Sequence, residues 1–345
     1  MNRSPNPAVA VLATGSYLPE RVVTNEEIAQ RVPGASAEWI ERKTGIRSRR
    51  YAAPGEAASD LAVHAALAAL DQANVPADRL DYIIVATTTG DQPVPATAVL
   101  VQRALSAYRA ACLDINSACS GFVTALSVAQ AYAVLRPGAT SLVIGADVWS
   151  RFVDFGDRAT SVLFGDGAGA VVIGAASDGT DEGSLIDIDI TCRGDVHELI
   201  SLPAGGSRQP PSARTLAEGG HSLHMQGRAV REFVLGNVPA HLVSLLKRCG
   251  YEPSDVHHFV PHQANARLVT ELAEVTGLAA ATTHLPVRYC GNIGAASVPV
   301  ALDIAHRAEA LRDGDLVLLA GFGAGMASAA ALLRWAAPVL QDRPS

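Results

Sequence analysis

Short continuous apolar runs alternate with alanine-rich stretches along most of this chain. Leu80 to Thr88, Ala111 to Ile115, Leu142 to Asp147, Ser254 to His262 and Leu316 to Gly321 read as strands. Leu61 to Leu70, Ala98 to Leu105 and Val298 to Leu311 read as helices. Strands that are apolar without alternation are buried on both faces, so the pattern predicts α/β layers with buried, mixed sheets. Asn116 to Leu135 carries no charged side chain. Its Asn, Ser, Thr and Gln residues make a membrane span a poor reading, and a helix enclosed by protein on all sides a better one.

The pattern repeats. At an offset of about 174 residues, Leu80 to Thr88 falls opposite Ser254 to His262, and the turn around Cys119 falls opposite the turn around Asn292. Leu142 to Asp147 likewise falls opposite Leu316 to Gly321. Three coincidences in order predict a duplication, with one half at residues 1–174 and the other at 175–345. The small, polar stretch from Ala175 to Gly183 marks the boundary, although Ile186 to Thr191 can still be read as a strand of the first sheet. Pro203 to Gly220, rich in Pro, Gly and Ser, reads as a surface excursion.

Composition narrows the class. The 345 residues are 49% hydrophobic and 18% charged with a net charge of −7, which fits a soluble globular protein and gives no overall field for nucleic acid. Met1 to Pro7 is short and polar and Ala8 to Thr14 too brief for a signal core, so the expected compartment is the cytoplasm. Five cysteines at scattered spacings form no C-x-x-C pair, so reduced thiols are expected and zinc is not. The two clusters Gly165-Asp-Gly-Ala-Gly169 and Gly321-Phe-Gly-Ala-Gly325 are not dinucleotide fingerprints. Tight turns and close backbone approach explain them.

Cys119 is the candidate nucleophile. In Asp114-Ile-Asn-Ser-Ala-Cys119-Ser-Gly-Phe122 a strand gives way to a helix that Asn116 or Ser117 can cap. That would put the thiol in the first turn, where free N–H groups and the helix dipole favour thiolate. A lone cysteine is more often an inert core residue. Val260-Pro-His262-Gln-Ala-Asn265 and Tyr289-Cys-Gly-Asn292-Ile-Gly-Ala-Ala-Ser-Val-Pro299 change that balance by offering a base and an amide donor. If the halves pack about a pseudo-twofold axis, these three turns converge. A thiolate there can attack a thioester, while His262 and Asn292 donate to the oxygen of an enolate.

These strings, with Glu38-Trp39-Ile-Glu-Arg-Lys43-Thr44-Gly-Ile-Arg47 and Asp157-Arg158 through Gly169, closely resemble the β-ketoacyl-acyl carrier protein synthase III family of the thiolase superfamily. The resemblance covers nearly the whole chain. It implies a five-layer αβαβα fold, a homodimer, and decarboxylative Claisen condensation of an acyl-CoA starter with malonyl-acyl carrier protein, with acyl-CoA as substrate and no permanently bound cofactor. By resemblance Cys119 is acylated, the N–H groups of Cys119 and Ala324 form an oxyanion hole, and His262 and Asn292 stabilise the enolate. Trp39 and Arg158 match positions that sandwich the CoA adenine. Lys43 and Asn265 belong to matched strings and are carried with the CoA-binding set. Arg231 and Arg267, with Arg228 beside them, match or adjoin carrier-protein docking positions. Spacing from the cysteine puts Val94 where a residue of the other subunit closes the starter pocket. Relatives often carry an aromatic residue there, so valine implies tolerance of branched or longer starters. The other reading is an acyltransferase that passes the same acyl-cysteine to an alcohol or amine, but it has no use for Asn292.

Overall fold

The computed structural model describes residues 9–176 and 184–336. The chain opens with strand β1 (Val9–Tyr17) and a small ribbon, β2 (Arg21–Thr24) with β3 (Ser48–Tyr51), that encloses helices α1 (Asn25–Arg31) and α2 (Ala37–Thr44). Helix α3 (Ala58–Ala73), β4 (Tyr82–Ala86), α4 (Thr97–Leu105), β5 (Ala111–Ile115), α5 (Gly121–Leu135), β6 (Ser141–Val148) and β7 (Asp166–Ala175) follow. After β8 (Leu185–Cys192) come β9 (Ile200–Ser201), α6 (Ala213–Ala217), β10 (His224–Met225) and the long α7 (Gly227–Arg248). The chain then runs through β11 (His258–Pro261), α8 (Ala266–Val275), β12 (Thr282–Thr283), α9 (Val287–Cys290), α10 (Ser297–Arg307), β13 (Leu316–Gly323) and β14 (Ala327–Arg334).

Two five-stranded sheets carry the structure, ordered β1-β7-β6-β4-β5 and β8-β14-β13-β11-β12. In each, the first three strands are antiparallel and the last three parallel. The repeated sequence pieces occupy equivalent places: β4 answers β11 and β6 answers β13. The Ile186 to Thr191 run does not extend the first sheet. It is the outer strand of the second, paired antiparallel with β14 from Cys192↔Ala327 to Leu185↔Leu333. Most of the boundary stretch, residues 177–183, lies outside the described residues, as do residues 1–8.

Helices α5 and α10 lie between the two sheets. Phe122, Val123, Leu126 and Ala129 of α5 and Val298, Ala301 and Leu302 of α10 share one core with Ile84, Val143 and Val171 of the first sheet and Val260, Val317 and Leu319 of the second. The outer face of the first sheet packs on α3 and α4, and that of the second on α7 and α8. The result is five layers, helix, sheet, helix, sheet, helix. This placement explains why α5 has no charged residue along most of its length: the faces that meet the two sheets are buried, and only its last turns reach the surface. Ala118–Leu135 is long and apolar enough to cross a membrane by length and composition, but more than half of it is buried inside the protein. Fully buried Leu126 shows what that packing is worth. Its replacement by alanine should cost about 2–5 kcal/mol.

Candidate active site

Cys119 sits in a 3-10 turn, Ala118–Ser120, between β5 and α5. Ser120 N–H and Ser120 Oγ both bond to Ser117 O, at 3.1 and 2.7 Å, which tightens the turn. Ala118 is held at φ +44, a region that a residue with a Cβ enters at a cost of about 1–3 kcal/mol. The expected cap is absent: Ser120 occupies the cap position of α5 without a side-chain bond, and the thiol lies just ahead of the helix. Burial works against the expected thiolate. Burial pushes the Cys119 thiol up to about 12, the Asp147 carboxylate adds to this, and a hydrogen bond to the Cys119 backbone opposes it. Cys119 keeps some accessible surface, which faces the cavity.

The loop after β13 lies against this turn. A Cβ on Gly323 would stand 2.8 Å from Cys119 Cβ and 3.1 Å from Sγ, so only glycine lets the loop pass. Ala324 follows, on the wall of the same cavity.

His262 follows β11 and is buried. Its backbone N–H donates to Ala320 O at 2.6 Å, and Phe322 meets the ring edge to face at 5.2 Å between centroids. Nδ1 is 2.7 Å from Ser297 Oγ. Burial pushes the imidazole down to about 3, against the opposing pull of the Gly294 carbonyl, so the ring is neutral at working pH.

Asn292 comes after α9, in a turn where Gly291 and Gly294 take φ +68 and +57. Its backbone is fixed on both sides, N–H to Leu163 O at 2.8 Å and O from Gly165 N–H at 2.9 Å. Its Oδ1 accepts from Gly294 N–H at 3.0 Å, which leaves the amide NH2 as the end available to a ligand. Cys119, His262, Asn292 and Ala324 all line one cavity of about 1010 Å3. The Pro203 to Gly220 segment is more than a surface excursion. Ala204, Gly205 and Gly206 form part of that cavity's wall, together with His221 and Leu223.

Two supporting residues were missed in the sequence. Asp147, the next-to-last residue of β6, is completely buried. Its Oδ1 accepts from Thr88 N–H at 2.8 Å and Thr89 Oγ1 at 3.0 Å, and its Oδ2 from Ala295 N–H at 2.8 Å, which ties the Asn292 turn to the end of β4. Burial raises the pKa of Asp147, and these bonds lower it again. The available signal was a lone acidic residue closing an otherwise apolar strand. Ser297, in the string after Asn292, is the other, through its contact with His262.

A second groove of about 1070 Å3 adjoins the first, and Asn292 lines both. Lys43, Asn265, Arg231 and Arg267 line it with Arg42 and Arg288, but so do Glu41, Glu271 and Glu274. Arg231 is ion-paired with Glu271, and Arg228 with Glu232 at 2.9 Å. Asn265 Oδ1 caps α8 through Leu268 N–H at 2.9 Å. Trp39 and Arg158 meet, with the guanidinium carbon 5.3 Å from the indole centroid. Val94 is 81% exposed and is not among the residues that line the chain's own cavity, although Gln92 and Pro93 are.

Known proteins are similar to this chain in sequence and fold. Residues 113–194 match the family described as 3-Oxoacyl-[acyl-carrier-protein (ACP)] synthase III, and residues 246–335 match its C-terminal part. The chain is 46% identical over 326 residues to the acetoacetyl CoA synthase NphT7 of Streptomyces sp. strain CL190, covering 94% of this chain and 98% of the relative. It is 40% identical over 329 residues to the beta-ketoacyl-[acyl-carrier-protein] synthase III of Caldanaerobacter subterraneus subsp. tengcongensis, covering 95% and 98%. The crystal structure of 3-oxoacyl-(acyl carrier protein) synthase III from Pseudomonas aeruginosa PAO1 superposes with a TM-score of 0.88 at 36% identity, over 96% of this chain and 100% of that one. With two mixed five-stranded sheets and these matches along its length, the chain belongs to the ketoacyl-acyl carrier protein synthase III family of thiolase-like condensing enzymes, which are acyltransferases.

Proposed function

We propose that this condensing enzyme joins an acyl-CoA starter to a malonyl thioester through an acyl group carried on Cys119. The observation that carries the reading is the meeting of Cys119, His262 and Asn292 on the wall of one cavity. In the first half-reaction the Cys119 sulfur attacks the starter carbonyl, CoA departs, and the thiol proton ends on the CoA sulfur. No proton is consumed, so a resting thiol near 12 is compatible with exchange. The N–H groups of Cys119 and Ala324 are the donors for the transient oxyanion. In the second, the malonyl thioester loses carbon dioxide, and the NH2 of Asn292 and the ring N–H of His262 hold the enolate oxygen. The enolate carbon attacks the acyl carbonyl, and the sulfur of Cys119 leaves and takes up a proton. A neutral imidazole suits this role because it can donate without presenting a charge for water to compete for.

Incubation with a panel of acyl-CoA starters, with and without a malonyl thioester, followed by mass measurement of protein and product, tests this. Acylation of Cys119 followed by carbon dioxide release and a β-ketoacyl product supports it. Transfer of the acyl group to an alcohol or amine without carbon dioxide release would replace it with the plain acyltransferase.

The carrier of the malonyl group has two readings. Carrier protein needs a basic face, and Arg267 and Arg231 are the docking candidates. Malonyl-CoA is favoured by two observations: the 46% identical relative is named for making acetoacetyl CoA, and Arg231 and Arg228 are already paired with glutamates. Comparing kcat/KM for malonyl-CoA and malonyl-carrier protein at low and moderate salt separates them, because docking of an acidic protein weakens as salt rises. Trp39 and Arg158 would part to admit adenine between them.

The homodimer is inferred from β5, an edge strand with Ala111 and Asp114 exposed, which can extend the first sheet into a second copy. In such a dimer Val94, exposed here, is free to enter the other subunit's starter pocket. Val94→Phe should then narrow the range of starters toward short ones. An unchanged chain-length preference removes Val94 from that role.

A further inference from the structure

A neutral imidazole carries one N–H, so the proton of His262 lies on Nδ1 or on Nε2 and the other nitrogen is a lone-pair acceptor. Ser297 touches Nδ1. It is fully buried at the start of α10, and its single hydroxyl proton has two acceptors within reach: His262 Nδ1 at 2.7 Å and Gly294 O at 2.8 Å. The Gly294 carbonyl already receives the Ser297 backbone N–H. Turning the hydroxyl toward Nδ1 therefore orphans nothing. Oγ is also the acceptor for Gln263 N–H at 3.3 Å, which occupies one of its lone pairs and aims the hydroxyl.

We propose that Ser297 is a positioning residue that sets the tautomer of His262, donating its O–H to Nδ1 and so keeping the ring's proton on Nε2, the nitrogen left for the cavity. The inference rests on the condensing reading above, in which His262 donates to the enolate. With the ring pushed down to about 3, a second proton is unavailable at neutral pH, so the tautomer alone decides whether the enolate meets a donor or a lone pair. Acylation of Cys119 does not use this N–H and should be indifferent to it. The Gly294 backbone near the ring favours its protonation in general, whereas Ser297 Oγ is the group bonded to Nδ1.

The test is Ser297→Ala against Ser297→Thr. In S297A Nδ1 loses the hydroxyl that keeps it an acceptor, so the proton can move to Nδ1 and turn the Nε2 lone pair to the enolate. Self-acylation measured by intact mass should be little changed, while carbon dioxide release from the malonyl thioester falls ~10²–10³-fold, the cost of one preorganised donor. S297T keeps the hydroxyl and should restore most of that loss. Independently of activity, ¹⁵N spectra of histidine-labelled protein read the tautomer, and a His262→Gln variant identifies the signals. The wild type should show the proton on Nε2 and S297A on Nδ1. The proposal is overturned by a wild-type proton on Nδ1, by normal carbon dioxide release in S297A, or by equal loss of both half-reactions. If neither variant folds, the wild-type spectrum alone decides. Failure of the condensing reading looks different: the wild type would release no carbon dioxide from any malonyl thioester, whatever its tautomer.

Discussion

The Cys119 turn and the Asn292 turn are one device built twice, with opposite finishing. Asn116 and Asn292 head them, Ala118 and Gly294 open the 3-10 turns at φ +44 and +57, and Gly121 and Ser297 begin the central helices α5 and α10. Each turn is crossed by a strand of the other half at a glycine with no room for a Cβ. On Gly145 that atom would stand 2.4 Å from Ala295 O, and on Gly321 2.7 Å from Ser120 Cα. Two residues further along those strands the symmetry ends. The first half has Asp147, whose carboxylate bonds Ala295 N–H and fills the space behind Gly294. The second half has Gly323, and the space beside Cys119 stays open as cavity. The repeated topology supplies the frame. Chemistry comes from filling one of two equivalent places and emptying the other.

The largest expected effect comes from the donor on the filled side. Asn292→Ala should leave self-acylation nearly intact and lower condensation ~10²–10³-fold, since it removes one oxyanion donor. Mass measurement of acyl-enzyme beside product formation checks it, and equal loss in both half-reactions would break the division of labour between the turns. Refilling the open side is next. Gly323→Ala puts a methyl 3.1 Å from the Cys119 sulfur, and displacing a nucleophile by even an ångström costs ~10²-fold. Starter transfer to Cys119 should fall by at least that order, and the melting temperature should fall too, because the same methyl stands 2.8 Å from Cys119 Cβ. A variant that acylates normally would mean that the two places are not counterparts.

Unsealing the filled side is milder. Asp147→Asn keeps the shape but replaces one acceptor oxygen with a donor, facing either Thr88 N–H and Thr89 N–H or Ala295 N–H. A lost buried hydrogen bond of this kind costs about 1–3 kcal/mol. Thermal unfolding should register it, and condensation should suffer more than acylation because the Asn292 turn is the one released. Equal damage to both would make Asp147 a general core residue.

The frame was readable in the chain because its evidence is periodic and repeated. Continuous apolar strands, Ala-rich helices and the offset between Leu142 to Asp147 and Leu316 to Gly321 all survive into β6, β13 and their neighbours. Strand ownership was not readable. Ile186 to Thr191 is polar enough on one face to edge either sheet, and only its register with β14 decides the matter. The three site residues stood out through their strings, but their supports did not. Ser297 is one small polar residue among alanines, and its meaning lies in a contact with His262, 35 residues away along the chain. Asp147 looked like the end of a strand because its partners, Thr88 and Ala295, belong to different halves. Burial around Cys119 was hidden for a related reason: a helix start is visible in sequence, whereas the protein enclosing it is not.

That last point gives the smallest effect and the sharpest contrast between dipole and burial. A thiol pushed up to about 12 remains protonated through neutral pH, and its thiolate fraction rises tenfold per pH unit until that value is approached. Alkylation of Cys119 by iodoacetamide, followed site by site with peptide mass measurement, should therefore climb steadily from pH 7 to 10 with no plateau. Cys290, next to the other turn, is raised to about 12 by burial as well, yet it is 4% exposed and should stay unmodified in the folded protein. Equal burial of charge with unequal access then separates the two turns by reagent alone. A plateau for Cys119 below pH 8 would show that the helix start outweighs burial and that the resting enzyme holds a thiolate. In that case acylation would begin from a preformed nucleophile, and the open place beside Gly323 would serve to stabilise charge as well as to admit substrate.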